Sequence, residues 1–323
     1  MDILVVGGAG YIGSHICKAL ARNGDNPITL DDLSSGHRTF VKWGPLIECN
    51  ILDTEDLIGR LRNTSFQAVV HLAARIEVGE SLTDPTKFYV NNVAGSISLM
   101  HALAHLKMTV PFVFSSTAAV YGNVDTPLVS EDSPLKPINP YGTSKKVVEE
   151  LLVEFSKINN MPLCILRYFN VAGADPDMEI GESHHPETHL IPKVLEAALD
   201  SSLTFRLFGV DYPTPDGTCI RDYVHVSDLA QAHVCALTRL VQAPGRHHFN
   251  IGYSKGHSVR EILAAVERVS GKKVRIEIQE RRPGDPPRLV ADGRAGLKFL
   301  DWQPKFSDDL DKIIAHALEW QKR

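Results

Sequence analysis

Gly7-Gly8-Ala9-Gly10-Tyr11-Ile12-Gly13 follows the apolar run Ile3-Leu4-Val5-Val6 directly and opens a helical pattern that runs through Cys17–Asn23. The useful spacing is Gly7-x-x-Gly10-x-x-Gly13. Glycine at these positions lets the backbone turn tightly, approach a pyrophosphate and pack the helix on the strand. The helix N-terminus then offers free N–H groups and positive partial charge. Alone, the spacing says little; the strand before it, the helix after it and an acid at the end of the next strand decide its meaning. That acid is Asp31, 18 positions beyond Gly13, closing the run Pro27–Leu30. A carboxylate there accepts hydrogen bonds from both ribose hydroxyls of an adenosine and repels a 2′-phosphate, which predicts NAD rather than NADP. Asp32, its neighbour, is expected to point outward.

Further strand candidates are Leu46–Cys49, Ala68–Leu72, Pro111–Ser115 and Leu163–Tyr168, separated by helical patterns over Asp56–Arg62, Val90–His105 and Thr143–Asn159. Strands alternating with helices of this length predict βαβ units and a parallel sheet buried on both faces. The fold class is α/β, a Rossmann-type doubly wound parallel sheet with a smaller C-terminal α/β unit. Residues 1–172 are expected to form the NAD-binding part, with a chain return from about 217–255, and residues 173–323 mainly the substrate-binding part. Residues 173–190 are rich in Gly, Pro, His, Asp and Glu and read as a long loop, of the kind that covers a substrate. After it the pattern predicts helices over Pro192–Asp200, Val226–Val241 and Ser258–Val269. The strands expected among them are Phe205–Phe208, His248–Ile251 and Val274–Gln279.

The 323 residues suit one large or two fused domains. With 34 Lys plus Arg against 39 Asp plus Glu, the formal charge is −5, which argues against an electrostatic grip on nucleic acid or anionic lipid but allows a local basic pocket. No run is long and apolar enough for a membrane span, and no signal peptide is expected. The five cysteines are scattered, odd in number and form no CxxC pair, which reads as reduced thiols in a cytoplasmic protein.

Tyr141-Gly142-Thr143-Ser144-Lys145 places a phenol and an amine one helical turn apart, on one face. A phenol near its reference pKa of about 10 is a poor base at neutral pH. A neighbouring ammonium, helped by a positive nicotinamide ring, is expected to stabilise the phenolate. Alone, such a pair is mostly chance. Beside the dinucleotide turn, and with Ser115-Ser116-Thr117 ending a strand at the ligand crevice, it reads as catalytic.

Taken together, GGAGYIGSH (7–15), SSTAAVYG (115–122), NPYGTSK (139–145), RYFNVAGA (167–174), FGVDYPTPDGTCIRDYVHV (208–226) and RRPGDPP (281–287) resemble the UDP-glucose 4-epimerase family of the extended short-chain dehydrogenase/reductase superfamily. The likeness covers nearly the whole chain. Related 4,6-dehydratases carry Asp-Glu after the threonine, whereas Ala118-Ala119 cannot do acid–base chemistry. The resemblance implies a cofactor set of Gly7, Gly10, Tyr11, Ile12, Gly13, Asp31, Asn50, Ile51, Leu72, Ala73, Ala74, Asn91, Tyr141, Lys145 and Phe169. Asn50 and Ile76 depart from the family, which often has Asp and Lys there; Arg75 is a candidate replacement for that lysine. It implies a UDP-sugar set of Thr117, Tyr141, Asn170, His189, Leu190, Phe208, Arg221, Arg282, Asp285 and Leu289. Guanidinium groups suit a diphosphate, Phe208 could stack on uracil, and Leu289 aligns with a position that gates sugar size.

The implied activity interconverts UDP-glucose and UDP-galactose through a 4-keto sugar with tightly bound NAD. Tyr141 takes and returns the proton, Thr117 bonds the sugar oxygen and Lys145 holds the ribose. Family members are commonly homodimers through helices near 90–105 and 143–159. The alternatives are an epimerase of another UDP-sugar (UDP-N-acetylglucosamine, a UDP-pentose or a UDP-uronate), a nucleotide-sugar reductase, and a non-catalytic NAD-binding sensor, which would be expected to have lost Tyr141 or Lys145. His185 and His189 have a metal-like i,i+4 spacing, but Pro186 disfavours a helix and no HExxH occurs, so no metal is expected. His225 and His233 are expected to cap or pack.

Overall fold

A computed structural model describes residues 1–282 and 284–323; Pro283, within the 281–287 motif, lies outside the described residues. The first half runs β1 (Asp2–Val6), α1 (Tyr11–Arg22), β2 (Asn26–Asp31), β3 (Leu46–Glu48), α2 (Thr54–Arg62), β4 (Ala68–His71), α3 (Val78–Thr83), α4 (Pro85–Phe88), α5 (Gly95–His105), β5 (Phe112–Thr117), α6 (Pro140–Asn159) and β6 (Leu163–Tyr168). The second half runs β7 (Asn170–Ala172), α7 (Leu190–Leu199), β8 (Phe205–Phe208), β9 (Ile220–His225), α8 (Val226–Gln242), β10 (Arg246–Ile251), β11 (Gly256–Ser258), α9 (Val259–Ser270), β12 (Ile276–Gln279), β13 (Arg288–Leu289), α10 (Arg294–Leu300) and α11 (Leu310–Gln321).

Seven strands form one parallel sheet in the order β10-β6-β5-β4-β1-β2-β3. The order reverses between β1 and β4, so the carboxyl ends of β1, β4 and β5 open onto a crevice where such sheets bind ligands. Both faces are covered, because the strands are apolar on both sides: Ile3 and Val5 pack against α1 and α8, Leu4 and Val6 against α2 and α5. A third core joins α7, α9 and α11 through Val194, Leu195, Ile262, Val266, Ile314 and Leu318. β9 is flanked by β7, β11 and β13 in a separate small sheet, and β8 pairs with β12. Within 217–255, then, the return to the large sheet is made by α8 and β10, while β9 stays in the small sheet.

One helix was expected over 90–105. Instead a π-helical turn, Tyr89–Ala94, precedes α5. Its wider winding turns Asn92 inward. The Asn92 amide accepts from the Arg75 N–H (2.7 Å) and donates to the Arg75 carbonyl and the Ser144 hydroxyl (both 3.0 Å), joining the end of β4 to α6. Such bulges recur at functional sites. Among the described residues no helix is long and apolar enough to cross a membrane.

A buried carboxylate locks the C-terminal segment to α8. Asp228, 3% exposed, accepts from the backbone N–H groups of Lys305, Phe306 and Ser307 (2.8 Å each) and from the Ser307 hydroxyl (2.6 Å). Asp228→Ala strands these donors away from water and should lower unfolding stability by about 3 kcal/mol. Urea denaturation with an unchanged m-value would measure it; a loss below about 0.5 kcal/mol contradicts this account.

Candidate active site

The glycine turn is built by close approach. Gly7 adopts φ +86° and its N–H donates to the Leu30 carbonyl at 2.8 Å. A Cβ on Gly13 would stand 2.1 Å from the Gly7 carbonyl oxygen, so α1 can sit this near the turn only without one. Gly10 caps α1 with no side chain across the helix end, leaving its first N–H groups facing the cleft. Asp31 is fixed to the same turn: one carboxylate oxygen accepts from the Ala9 N–H (3.0 Å), the other from the Leu33 N–H (2.9 Å). Each oxygen keeps lone-pair capacity for a ribose hydroxyl. Burial pushes the Asp31 pKa up while these N–H groups pull it down. A cradle closed to a Cβ at Gly7 and Gly13, an open helix end and a two-oxygen ribose acceptor fit NAD.

The cleft wall includes Gly7, Gly10, Tyr11, Ile12, Gly13, Asp31, Ile51, Leu72, Ala73, Ala74, Asn91 and Phe169. Asn50 is not on it; its amide donates to Asp32 at 3.0 Å. Asp32 does line the cleft rather than point away. Ser34, Ser35 and Gly36 also line it and were not picked out from the sequence, although a Ser-Ser-Gly turn after the acid was the available signal. Arg75 and Ile76 are wall residues as well.

Thr117 ends β5, and Tyr141 and Lys145 stand on the first turns of α6. That helix starts where it does because Pro140 occupies its first turn and the Asn139 side chain accepts from the Gly142 N–H at 2.8 Å. The Tyr141 hydroxyl meets Thr117, and Lys145 Nζ donates to the Ser115 carbonyl at 2.8 Å while lying 4.9 Å from the centre of the Phe114 ring. Burial pushes Tyr141 up to about 12, with Glu77 adding to the rise and the Thr117 bond opposing it. Burial also draws Lys145 down to about 7, opposed by Glu149. In the chain alone desolvation is the largest influence on both groups and favours the neutral form of each.

On the opposite wall, Asn170, His189, Arg221, Asp285 and Leu289 face the cleft. Arg221 donates to the carbonyls of Ile220 (2.9 Å) and Pro286 (2.8 Å) and to Asp285 (3.3 Å), which aims the guanidinium while leaving N–H groups free. Three expected residues are not on the wall. Leu190 opens α7 and packs against its core, and the Arg282 guanidinium lies 3.9 Å over the Phe208 ring, covering one face of it.

Residues 173–189 are strapped over the cofactor turn from several sides. Tyr11 donates to the Gly173 carbonyl (2.6 Å), His37 bonds the Ser183 carbonyl (3.0 Å), and Trp320 of α11 donates to the Glu182 carbonyl (2.9 Å). Lys18 pairs with Asp175, Asp177 and Glu179. Within this loop Glu182, His184, Glu187 and His189 form a compact ion cluster. Although burial pulls His184 down, the carboxylates of Glu182 and Glu187, 3.4 and 3.5 Å from its Nδ1, push it up to about 10, and His189 is raised in the same way. His225 caps α8 through the Ser227 N–H, and His233 is buried against the Tyr168 hydroxyl, as expected of them.

The sequence profile of the NAD dependent epimerase/dehydratase family matches residues 3–252. The UDP-glucose 4-epimerase of Rhizobium leguminosarum bv. trifolii is 45% identical over 321 residues, covering 99% of this chain and 97% of that protein. The crystal structure of the Brucella ovis UDP-glucose 4-epimerase in complex with NAD superposes with a TM-score of 0.94 at 44% identity, over 98% of this chain and 97% of that one. The UDP-Glc/GlcNAc 4-epimerase of Campylobacter jejuni superposes with a TM-score of 0.85 at 41% identity, over 99% of each chain.

Proposed function

The chain belongs to the NAD dependent epimerase/dehydratase family, and we propose that it is a UDP-glucose 4-epimerase, interconverting UDP-glucose and UDP-galactose. The observation that carries this is the meeting of Tyr141 and Thr117 at the mouth of the glycine-turn cleft, with Ala118 and Ala119 beside them. A phenol is present there, and alanines stand at the two positions after Thr117 where the related dehydratases carry Asp-Glu.

Bound NAD supplies reversible hydride acceptance from the sugar C4, together with the positive charge of its ring. The glycine turn and the open end of α1 hold the pyrophosphate, and Asp31 the adenosine ribose. Tyr141 takes the proton of the 4-hydroxyl and gives it back to the 4-oxygen of the epimer. Thr117 bonds that oxygen, and Lys145, anchored on the Ser115 carbonyl, holds the nicotinamide ribose. Epimerisation requires the keto sugar to present its other face, so the grip must be on the diphosphate. Arg221, aimed by three acceptors with N–H groups left free, suits that division. Purified protein incubated with UDP-galactose and no added NAD should yield UDP-glucose. Net hydride transfer to or from free NAD(H) supplied in solution would point to a reductase, and no turnover with a retained dinucleotide to a sensor.

A second reading concerns the sugar. Leu289, 9% exposed, lies on the cleft wall in register with Arg221. Its side chain leaves more room than a tyrosine, which favours acceptance of N-acetylated sugars. Leu289→Tyr should cut turnover of UDP-N-acetylgalactosamine about 10–100-fold while sparing UDP-galactose. Parallel product analysis on the two substrates tests it, and equal losses on both would refute it.

The family's homodimer is the assembly we assign to this chain, supported by the exposed apolar Tyr89, Val90 and Ile97 on the surface of the π turn and α5; light scattering tests it. Five free cysteines support a cytoplasmic setting.

A further inference from the structure

Behind the strand end that carries Thr117 lies a buried charge pair that the chemistry above does not use. Glu149 stands on α6 one turn beyond Lys145 and is 3% exposed; its partner Arg167 on β6 is 5% exposed. Arg167 Nε donates to both carboxylate oxygens (3.1 and 3.3 Å) and Nη2 to Oε2 (2.8 Å). Oε1 also accepts from the Ser116 hydroxyl. Arg167 Nη1 continues to the Tyr121 hydroxyl (2.9 Å), which donates to Asn250 on β10 (2.6 Å). A buried ion pair is seldom needed for stability, since well-packed apolar side chains often serve as well. The location is what gives this one meaning. Ser116 sits between Ser115, whose carbonyl receives Lys145, and Thr117, which meets Tyr141.

We propose that Glu149 is a positioning residue of this site: bonded to Ser116 and paired with Arg167, it locks the end of β5 against α6 so that the Ser115 carbonyl and Thr117 stay in register with Lys145 and Tyr141, and it places a buried negative charge one helical turn from the Lys145 amine. The inference rests on the epimerase reading. The groups facing Lys145 are the Phe114 ring and Ser115 carbonyl of β5, His71 of β4, and Glu149 one turn along its own helix, with Tyr141 one turn before it, Tyr168 of β6 beside Ser115 and Tyr141, and Arg167 behind Glu149. Burial keeps His71 neutral, down at about 3. Glu149 is the carboxylate of this set, and it opposes the desolvation of Lys145.

The test is kcat against pH for NAD-loaded parent, Glu149→Gln, Glu149→Asp and the double variant Glu149→Gln/Arg167→Met. The double variant leaves no unpaired guanidinium in the core and serves if the single one does not fold. Loss of the carboxylate makes the ammonium easier to deprotonate, so the alkaline limb should move to lower pH by about one unit in the Gln and double variants. KM for UDP-galactose should stay within about twofold, and Glu149→Asp should keep the parent's limb. Folded, NAD-loaded Gln or double variants whose alkaline limb coincides with the parent's overturn the proposal. A parent inactive on UDP-galactose and UDP-N-acetylgalactosamine would instead overturn the epimerase reading, so the two failures are distinct.

Discussion

Tyr141→Phe should lower kcat for UDP-galactose about a thousandfold while leaving NAD bound and the fold intact, because a positioned acid–base group contributes about 10²–10⁴. Only one oxygen is removed, and Thr117 keeps its other partner, the Ala119 N–H at 3.1 Å. Burial pushes the phenol up to about 12 in the chain alone. Burial and Glu77 both work against ionisation, and the Thr117 bond opposes them; a positive nicotinamide ring beside the phenol would add to that opposition. Steady-state turnover with dinucleotide content measured after denaturation checks the prediction. Turnover within tenfold of the parent would remove Tyr141 from its role.

Gly13→Ala should abolish cofactor retention, with NAD affinity falling at least about 100-fold, the scale of a one-ångström misplacement. The new Cβ would meet the Gly7 carbonyl oxygen at 2.1 Å and the Gly8 Cα at 2.8 Å. Both are backbone atoms of the turn itself, so α1 must move away from the strand and its N–H groups leave the pyrophosphate. Over-packing of this kind costs about 1–3 kcal/mol of fold stability as well. Equilibrium dialysis with NAD and thermal unfolding with and without NAD separate the two effects. Parent-like affinity in the alanine variant would show that the turn does not cradle the dinucleotide.

The cofactor half was legible because its constraints are local. Three glycines at fixed spacing, a strand before them and an acid after the next strand are all visible along one dimension, and the structure places Gly7, Gly13 and Asp31 on one wall. Tyr141, Lys145 and Thr117 were legible for the same reason, since one helical turn and one strand end are enough to bring them together. The electrostatics were not, because the sign of a pKa shift depends on burial from every direction. Spacing shows an amine beside a phenol but not the dry surroundings that move both toward neutrality. The substrate half was read less well. β7, β11 and β13 are two or three residues long, too short to show a period, and their pairing around β9 is set by contacts distant in sequence. Arg282 over Phe208, and Glu149 under Ser116, likewise arise from segments that only folding brings together.

Trp320, near the end of the chain, packs its indole against Gly181 and Phe40 and donates to the Glu182 carbonyl in the loop that carries His184 and His189. That contact ties a native indole fluorophore to the 173–189 loop. Trp302 is buried beneath α8, and Trp43 lies under Lys18, whose amine pairs with Asp175, Asp177 and Glu179 at the start of the same loop. Any shift of residues 181–182 would change the surroundings of the residue 320 indole and so register in its emission without a label.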